Sequence, residues 1–333
     1  GLLDYSDEEI PIPADPERAD YEGAQKGRLA LLRRAFSQSG KRLAPEIEQF
    51  RREEKWAEDY ALFSAVKEHF DMAMWTKWPD RRIRNRRFFA VLKYKRALRE
   101  EIQFHLFCQY LFRKQWKALK TYCNEKNILL FGDMPIYVAE DSADTWTHPE
   151  VFELDRDRIP RRVAGVPPDA FSEYGQMWGN PLYDWGKLAK RGYGWWVDRM
   201  KGTAELFDMV RVDHFIGFGH YYAIPYGAPD ARQGTWEDGP GVPLFKALKQ
   251  AVPSLKVVAE DLGEVNDQVR TLMSWTGYPG MKVLQFGFSD GENEHLPHNF
   301  ADTNCFAYTG THDNETLIGW VDTLDKKYLK FAK

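Results

Sequence analysis

Met209-Val210-Arg211-Val212-Asp213-His214 is a short, largely apolar run that stops on an acid and an imidazole. The same shape recurs along the chain. Residues 257–259 run into Glu260-Asp261, and residues 305–308 lead through Thr309-Gly310-Thr311 to His312-Asp313. Residues 128–131 end in Gly132-Asp133, and residues 283–286 form a further apolar run. Continuous rather than alternating apolar runs belong to parallel strands buried on both faces. Helical patterns at 244–251 and 266–274 lie between them. Strand, polar tip, helix, strand is the order of a βα barrel or an open α/β sheet.

In a βα barrel the C-terminal ends of all strands point to one face, so acids far apart in the chain meet there. Asp213, Glu260 and Asp313 are candidates for such a meeting. Cleavage of a glycosidic bond with retention needs one carboxylate to attack the anomeric carbon. A protonated carboxyl must serve the leaving oxygen, and a third acid can favour the cation-like transition state. Arg211 lies two residues before Asp213 and faces the same side of a strand. Its guanidinium is expected to hold Asp213 ionised, while Glu260 is expected in an apolar setting that keeps its proton. Strand-end acids also serve as helix caps and turn residues, and His214, Glu260 and His312 are conceivable metal ligands. No HExxH, CxxC, GxGxxG or P-loop motif occurs.

Outward from these tips, residues 1–127 read as a helical region. Asp15-Pro16 predicts a helix through about residue 37, a second helix covers 45–70, and two more share 85–126. The cluster Arg81, Arg82, Arg84, Arg86 and Arg87 reads as a solvated or phosphate-binding face. Residues 128–333 carry the strands. Within them, 139–196 is rich in Pro, Gly and Trp with little periodicity, which predicts a long βα loop over the mouth of a barrel.

Composition narrows the classes. The 333 residues carry a net charge of −4, which disfavours nucleic acid as a partner. Twelve Trp, sixteen Tyr and twenty-one Phe exceed the needs of a core alone and suit sugar stacking. Three unpaired Cys (Cys108, Cys123 and Cys305) fit a reducing, cytoplasmic setting. No stretch approaches the roughly 18 apolar residues of a membrane span, and the first residues do not read as a signal peptide.

The segments GDMPIYVAEDSADTW (132–146), VAGVPPDAFSEYGQMWGNPLYDW (163–185), RVDHFIGF (211–218), AEDLG (259–263), PGMKVLQFGF (279–288) and YTGTHDNET (308–316) cover 131–320 almost continuously. With QYLFRKQW (109–116) upstream, the chain resembles the 4-α-glucanotransferases, or amylomaltases, of glycoside hydrolase family 77. The resemblance implies a (β/α)8 TIM-type barrel, with strands 3 to 7 in this sequence and residues 1–127 as an inserted helical subdomain. Strands 1, 2 and 8 would be missing. It implies transfer of α-1,4-glucan segments between maltodextrins, with Asp213 as nucleophile, Glu260 as acid/base and Asp313 as transition-state stabiliser. Arg211, His214 and His312 would contact the sugar at the cleavage point. Asp133 would lie at the same rim and Asp261 would bind the substrate, with Phe171, Gln176 and Trp178 on the loop lining the donor and acceptor path. Neither metal nor organic cofactor is implied. The partners would be α-1,4-glucans and maltooligosaccharides, with no membrane. An amylase-type hydrolase, or a glucan-binding fragment without activity, are the alternatives. Ile216 stands where the family usually has Arg, which leaves a charge partner unexplained.

Overall fold

The computed structural model describes residues 2–3, 15, 17–169, 172–289, 293–301, 303–324 and 328. The chain divides into two compact units, Gly1–Thr121 with Asp141–Pro149, and Tyr122–Glu140 with Glu150–Lys333.

The first unit is helical. Helix α1 (Tyr21–Ser39) begins later than its sequence suggests, because Asp20 rather than Asp15 caps it, accepting the Gly23 amide at 2.8 Å. Asp15 takes the Glu17 amide in a turn, and Pro16 lies outside the described residues. The single helix expected over 45–70 is two, α2 (Ala44–Glu53) and α3 (Lys55–His69). Glu54 breaks them with non-helical backbone, and its carboxylate binds the Trp56 indole and Arg113. After the short α4 (Arg81–Arg84), α5 (Phe88–Ala97) and α6 (Arg99–Glu125) fill 85–126 as a pair. Helix α7 (Ala143–Thr147) places Trp146 in the core, with Phe63 and Trp78 against it. The arginine cluster is not one uniform face. Arg82 pairs with Asp80, Arg84 donates to the Thr76 carbonyl, and Arg86 pairs with Asp59 while its guanidinium covers Trp146.

The second unit is α/β. Its described strands are β1 (Phe131–Met134), β2 (Arg162–Val166), β3 (Gln176–Pro181), β4 (Met209–Val212), β5 (His220–Pro225), β6 (Thr235–Asp238), β7 (Lys256–Ala259), β8 (Gly280–Val283) and β9 (Cys305–Tyr308). Helices α8 (Trp185–Lys190), α9 (Gly194–Leu206), α10 (Gly241–Ala251), α11 (Asp267–Thr276) and α12 (Leu317–Thr323) lie between and after them. Strands β1, β4 and β7 are parallel neighbours, as are β8 and β9. The Ala259 amide bonds the Pro279 carbonyl at 2.9 Å, which joins β7 to the entry of β8. Side chains such as Val210, Val212, Val258 and Ala259 are fully buried, as a two-sided parallel sheet requires.

Two strands sit three residues from where their apolar runs place them. Strand β1 starts at 131 because the Asp208 carboxylate takes the Leu130 amide and the Asn124 side chain, clamping the preceding residues. Asp133 is therefore inside a strand, in register with Arg211. Strand β8 occupies 280–283, and a 3-10 turn (Leu284–Ser289) takes up most of the expected strand.

The stretch 139–196 carries ordered elements rather than a loop alone. Strands β2 and β3 join β5 and β6 in an antiparallel sheet of order β3-β2-β5-β6. The pairing depends on Gly165, where a Cβ would lie 2.1 Å from the Gln176 carbonyl oxygen. A bulge between Val163 and Gly165 further hides the period from the sequence. Tyr183, fully buried, stacks on Phe152 and donates to the Ile136 carbonyl at 2.7 Å, so this ring pins the stretch to the core. Among the described residues no helix is long and apolar enough to cross a membrane.

Candidate active site

The parallel ladder continues one residue past the strand ends. Asp213 donates its amide to the Met134 carbonyl, and Glu260 donates its amide to the Val212 carbonyl, both at 3.0 Å. The tips of β1, β4 and β7 are thus fixed side by side by the backbone. That places Asp133, Arg211, Asp213 and Glu260 on one rim.

Arg211, nearly buried, closes a two-pronged contact on Asp133, with Nε and Nη2 each 2.8 Å from a carboxylate oxygen. The same Nη2 reaches Asp213 Oδ1 at 3.1 Å. Asp213 remains 40% exposed at its side chain, open to an incoming group. Its pKa is nonetheless raised, a departure from the expected lowering. Burial is the largest cause, and the carboxylates of Asp133 and Asp313 add to it, against the pull of Arg211 and His312. Arg211 acts in the expected direction but is shared with Asp133, so it does not prevail.

Glu260 is 8% exposed and its carboxyl is pushed up to about 7. Burial dominates and Asp213 adds to it, while the bonds from the backbone and the charge of Arg211 oppose it. Its oxygens accept the amides of His214 at 2.8 Å and Leu262 at 3.2 Å. One half-exposed carboxylate beside a cation and one buried carboxyl that keeps its proton near neutrality form the pair that acid-assisted nucleophilic displacement uses.

His214 adopts a left-handed backbone (φ 47°), which turns its amide onto Glu260. Burial drives its pKa down to about 4, so the ring is neutral. Trp178 stands edge-on to it, with centroids 4.9 Å apart, and donates its indole N–H to Gln176 at 3.1 Å. Trp178 is 38% exposed on the edge strand β3. Phe171 lies outside the described residues. Asp313 and His312 follow β9 and stay well exposed, 3.4 Å apart. Both act electrostatically on Asp213, which puts them on its side of the unit.

Asp261 departs from its expected place among sugar contacts. Its half-buried carboxylate accepts the Met281 amide at 2.8 Å and fits against Gly280, where a Cβ would lie 2.3 Å from it. It fastens β8 instead of facing the rim. Ile216 is buried, with its side chain against Gly263 in the loop after Glu260.

Tyr137, buried between Tyr183 and Trp178 behind the rim, has no counterpart among the residues the sequence points to. Its only sequence signal is its place four residues after Asp133. The Leu262 amide is invisible in the sequence, since backbone donors carry no side-chain signature. Among the described residues no group of three or more His, Cys, Asp or Glu is arranged to hold a metal ion.

A family model described as 4-alpha-glucanotransferase matches residues 3–332. The 4-alpha-glucanotransferase of Clostridium butyricum is 43% identical over 333 residues, covering 98% of this chain and 67% of its own length. That of Thermus thermophilus is 46% identical over 319 residues, covering 93% and 64%. The solved amylomaltase from Streptococcus agalactiae in complex with acarbose superposes with a TM-score of 0.96 at 40% identity, over 99% of this chain and 68% of that one. The chain therefore spans about two thirds of the length of the relatives it matches.

Proposed function

Because the chain belongs to the 4-alpha-glucanotransferase family, glycoside hydrolase family 77, we propose that it carries the rim at which that transfer takes place. Asp213 attacks the anomeric carbon of an α-1,4-linked glucan and forms the covalent glycosyl intermediate. Glu260 gives its proton to the departing 4-oxygen, then recovers one from the 4-hydroxyl of the acceptor glucan. Asp313 holds hydroxyls of the sugar as its ring flattens, and Arg211, His214, His312 and Asp133 surround the cleavage point. No metal or organic cofactor enters the scheme. Strands β1, β4, β7, β8 and β9 correspond on this reading to strands 3 to 7 of an eight-stranded barrel, and residues 1–127 to an inserted helical subdomain.

The observation that carries the reading is the contrast between Glu260 and Asp213. Adjacent strand tips hold one carboxyl buried and raised to about 7, and one half-exposed against a guanidinium. Environments that differ in this way around a pair of carboxyls assign acid and nucleophile. Incubation with maltotriose tests it: transfer gives glucose together with longer maltodextrins, and Asp213→Asn gives neither. Accumulation of shorter sugars alone, with new reducing ends, would select the hydrolase instead. Retained sugar binding without turnover in the unsubstituted chain would select a glucan-binding piece. Acarbose, present in the complex of the streptococcal relative, should compete at the same rim.

A further inference from the structure

His220 opens β5 and is 5% exposed, yet neither ring nitrogen has a hydrogen-bond partner. Buried polar atoms are nearly always satisfied, so an imidazole with two open nitrogens calls for an account. The ring lies on the indole of Trp236, with centroids 4.4 Å apart at 45°, and Trp236 also meets the edge of Tyr222. Trp236 sits on β6, the edge strand of the antiparallel sheet, and is 39% exposed. Directly across the ladder from His220 is Asp238, whose carboxylate accepts the Gln268 amide group at 2.7 Å.

This corner meets the turn after β4 and lies within electrostatic reach of Glu264 in the loop after Glu260. Gly239, just past β6, donates to the Gly219 carbonyl at 2.8 Å, and a Cβ there would lie 2.3 Å from the Phe218 carbonyl oxygen. The end of β6 is therefore pressed onto the turn that follows Asp213 and His214. Glu264 lies two residues after Leu262, the residue whose amide holds Glu260. Gly263 between them has φ 120°, a conformation that L side chains rarely adopt.

The groups acting on His220 come from each element around it. Glu264 and Asp238 favour its charged form, and burial opposes that more strongly. From the turn after β4, His214 interacts with it as a second imidazole, itself depressed by burial. From α11, which packs on Gly219 through Val269, Gln268 brings no charge, while Asp267 and Arg270 pair with each other at 3.4 Å.

We infer that His220 is a proton-sensitive positioning residue: neutral, it rests tilted against Trp236 and keeps β6 and the Glu260 loop seated, and protonated, it draws Asp238 and Glu264 onto its ring N–H groups. The proton comes from solvent as the pH falls. Asp238 then gives up Gln268, and Glu264 pulls on the segment that anchors Glu260. The aromatic stack acquires a cation against the indole, which favours the contact and changes its emission. The effect on turnover rests on the transfer reading above; the effect on Trp236 does not.

The test follows Trp236 emission and the His220 ring resonances during acid titration of the whole chain. The emission step, read as the difference between the chain and Trp236→Phe, should coincide with the His220 midpoint and vanish in His220→Phe. In His220→Phe the acid limb of the pH–rate profile should lose the component that tracks the His220 midpoint and keep the one set by Asp213. A step that persists in His220→Phe, or a His220 ring that never titrates before the chain unfolds, overturns the inference. If His220→Phe does not fold, Asp238→Asn serves in its place. Loss of that carboxylate should shift the His220 midpoint downward, and an unmoved midpoint also overturns the inference. Normal spectroscopic steps without turnover would count against the transfer reading alone.

Discussion

The guanidinium of Arg211 binds Asp133 more fully than it binds Asp213, giving the first two contacts at 2.8 Å and the second one at 3.1 Å. The cation beside the proposed nucleophile is held by another acid, which aims it. Asp133 also raises the pKa of Asp213 through its charge. Asp133→Asn should therefore have two separable effects. The acid limb of the pH–rate profile should move to lower pH, because a nearby negative charge is gone. The maximal rate should fall by about 100-fold, because Arg211 is no longer aimed. A falling rate with an unmoved acid limb would mean that Asp133 acts on shape alone.

Glu260 gives a stability prediction with a definite sign. Its folded-state pKa of about 7 lies above the ordinary value of 4.5. Folding favours the proton, so this contribution is complete below about 4.5 and is lost as pH rises towards 7. Glu260→Gln carries no such titration. Its stability should match the parent chain in acid and exceed it by a few kcal/mol above neutrality. Denaturant melts at several pH values would show the two curves separating; parallel curves would place the Glu260 pKa near its ordinary value. The same substitution should slow an unactivated glucan far more than a donor whose leaving group needs no proton.

Trp178 bears on water. A glycosyl-enzyme meets water at roughly 55 M, and an acceptor wins only if it is held in line, which supplies a large effective concentration. Trp178 is half-exposed on an edge strand and rests on His214 by its edge. Trp178→Ala should raise hydrolysis relative to transfer on maltotriose, with little change in melting temperature. Free glucose and reducing ends, measured together, give the ratio. A collapsed melting temperature at constant ratio would make the ring a packing element.

Asp261 should behave in the opposite manner. Asp261→Ala strands the Met281 amide and is expected to cost about 1–3 kcal/mol of stability. Turnover per folded molecule should survive. Loss of sugar affinity at unaltered stability would return Asp261 to the rim.

Of the strands that carry the site, β4, β7 and β9 are readable in the sequence, while β1 is displaced by three residues. Residues 209–212 form a strand where their apolar run lies, since a strand buried on both faces leaves an uninterrupted signature, and residues 305–308 form one too although they are only partly buried. The edge sheet was not readable. Strand β3 reads QMWGNP, with four of its six residues exposed, and its pairing rests on Gly165 and a bulge. Asp15-Pro16 points to a helix start that the structure places at Asp20, whose carboxylate takes the Gly23 amide. Asp213, Glu260 and Asp313 stood out as acids at strand ends. Asp261 looked the same beside them, and only the direction of its side chain towards Met281 separates it. His220 carried no motif, and its interest comes wholly from what surrounds it.

Both hydrogen bonds that hold Glu260 come from main-chain amides, those of His214 and Leu262. Every residue except proline supplies that donor. Within the limit set by the left-handed backbone at 214, which β-branched residues resist, the side chains at 214 and 262 can be varied to retune what the rim accepts while the acid stays where it is. Selection for new acceptors should draw its changes from such positions, and the proton donor should be inherited intact.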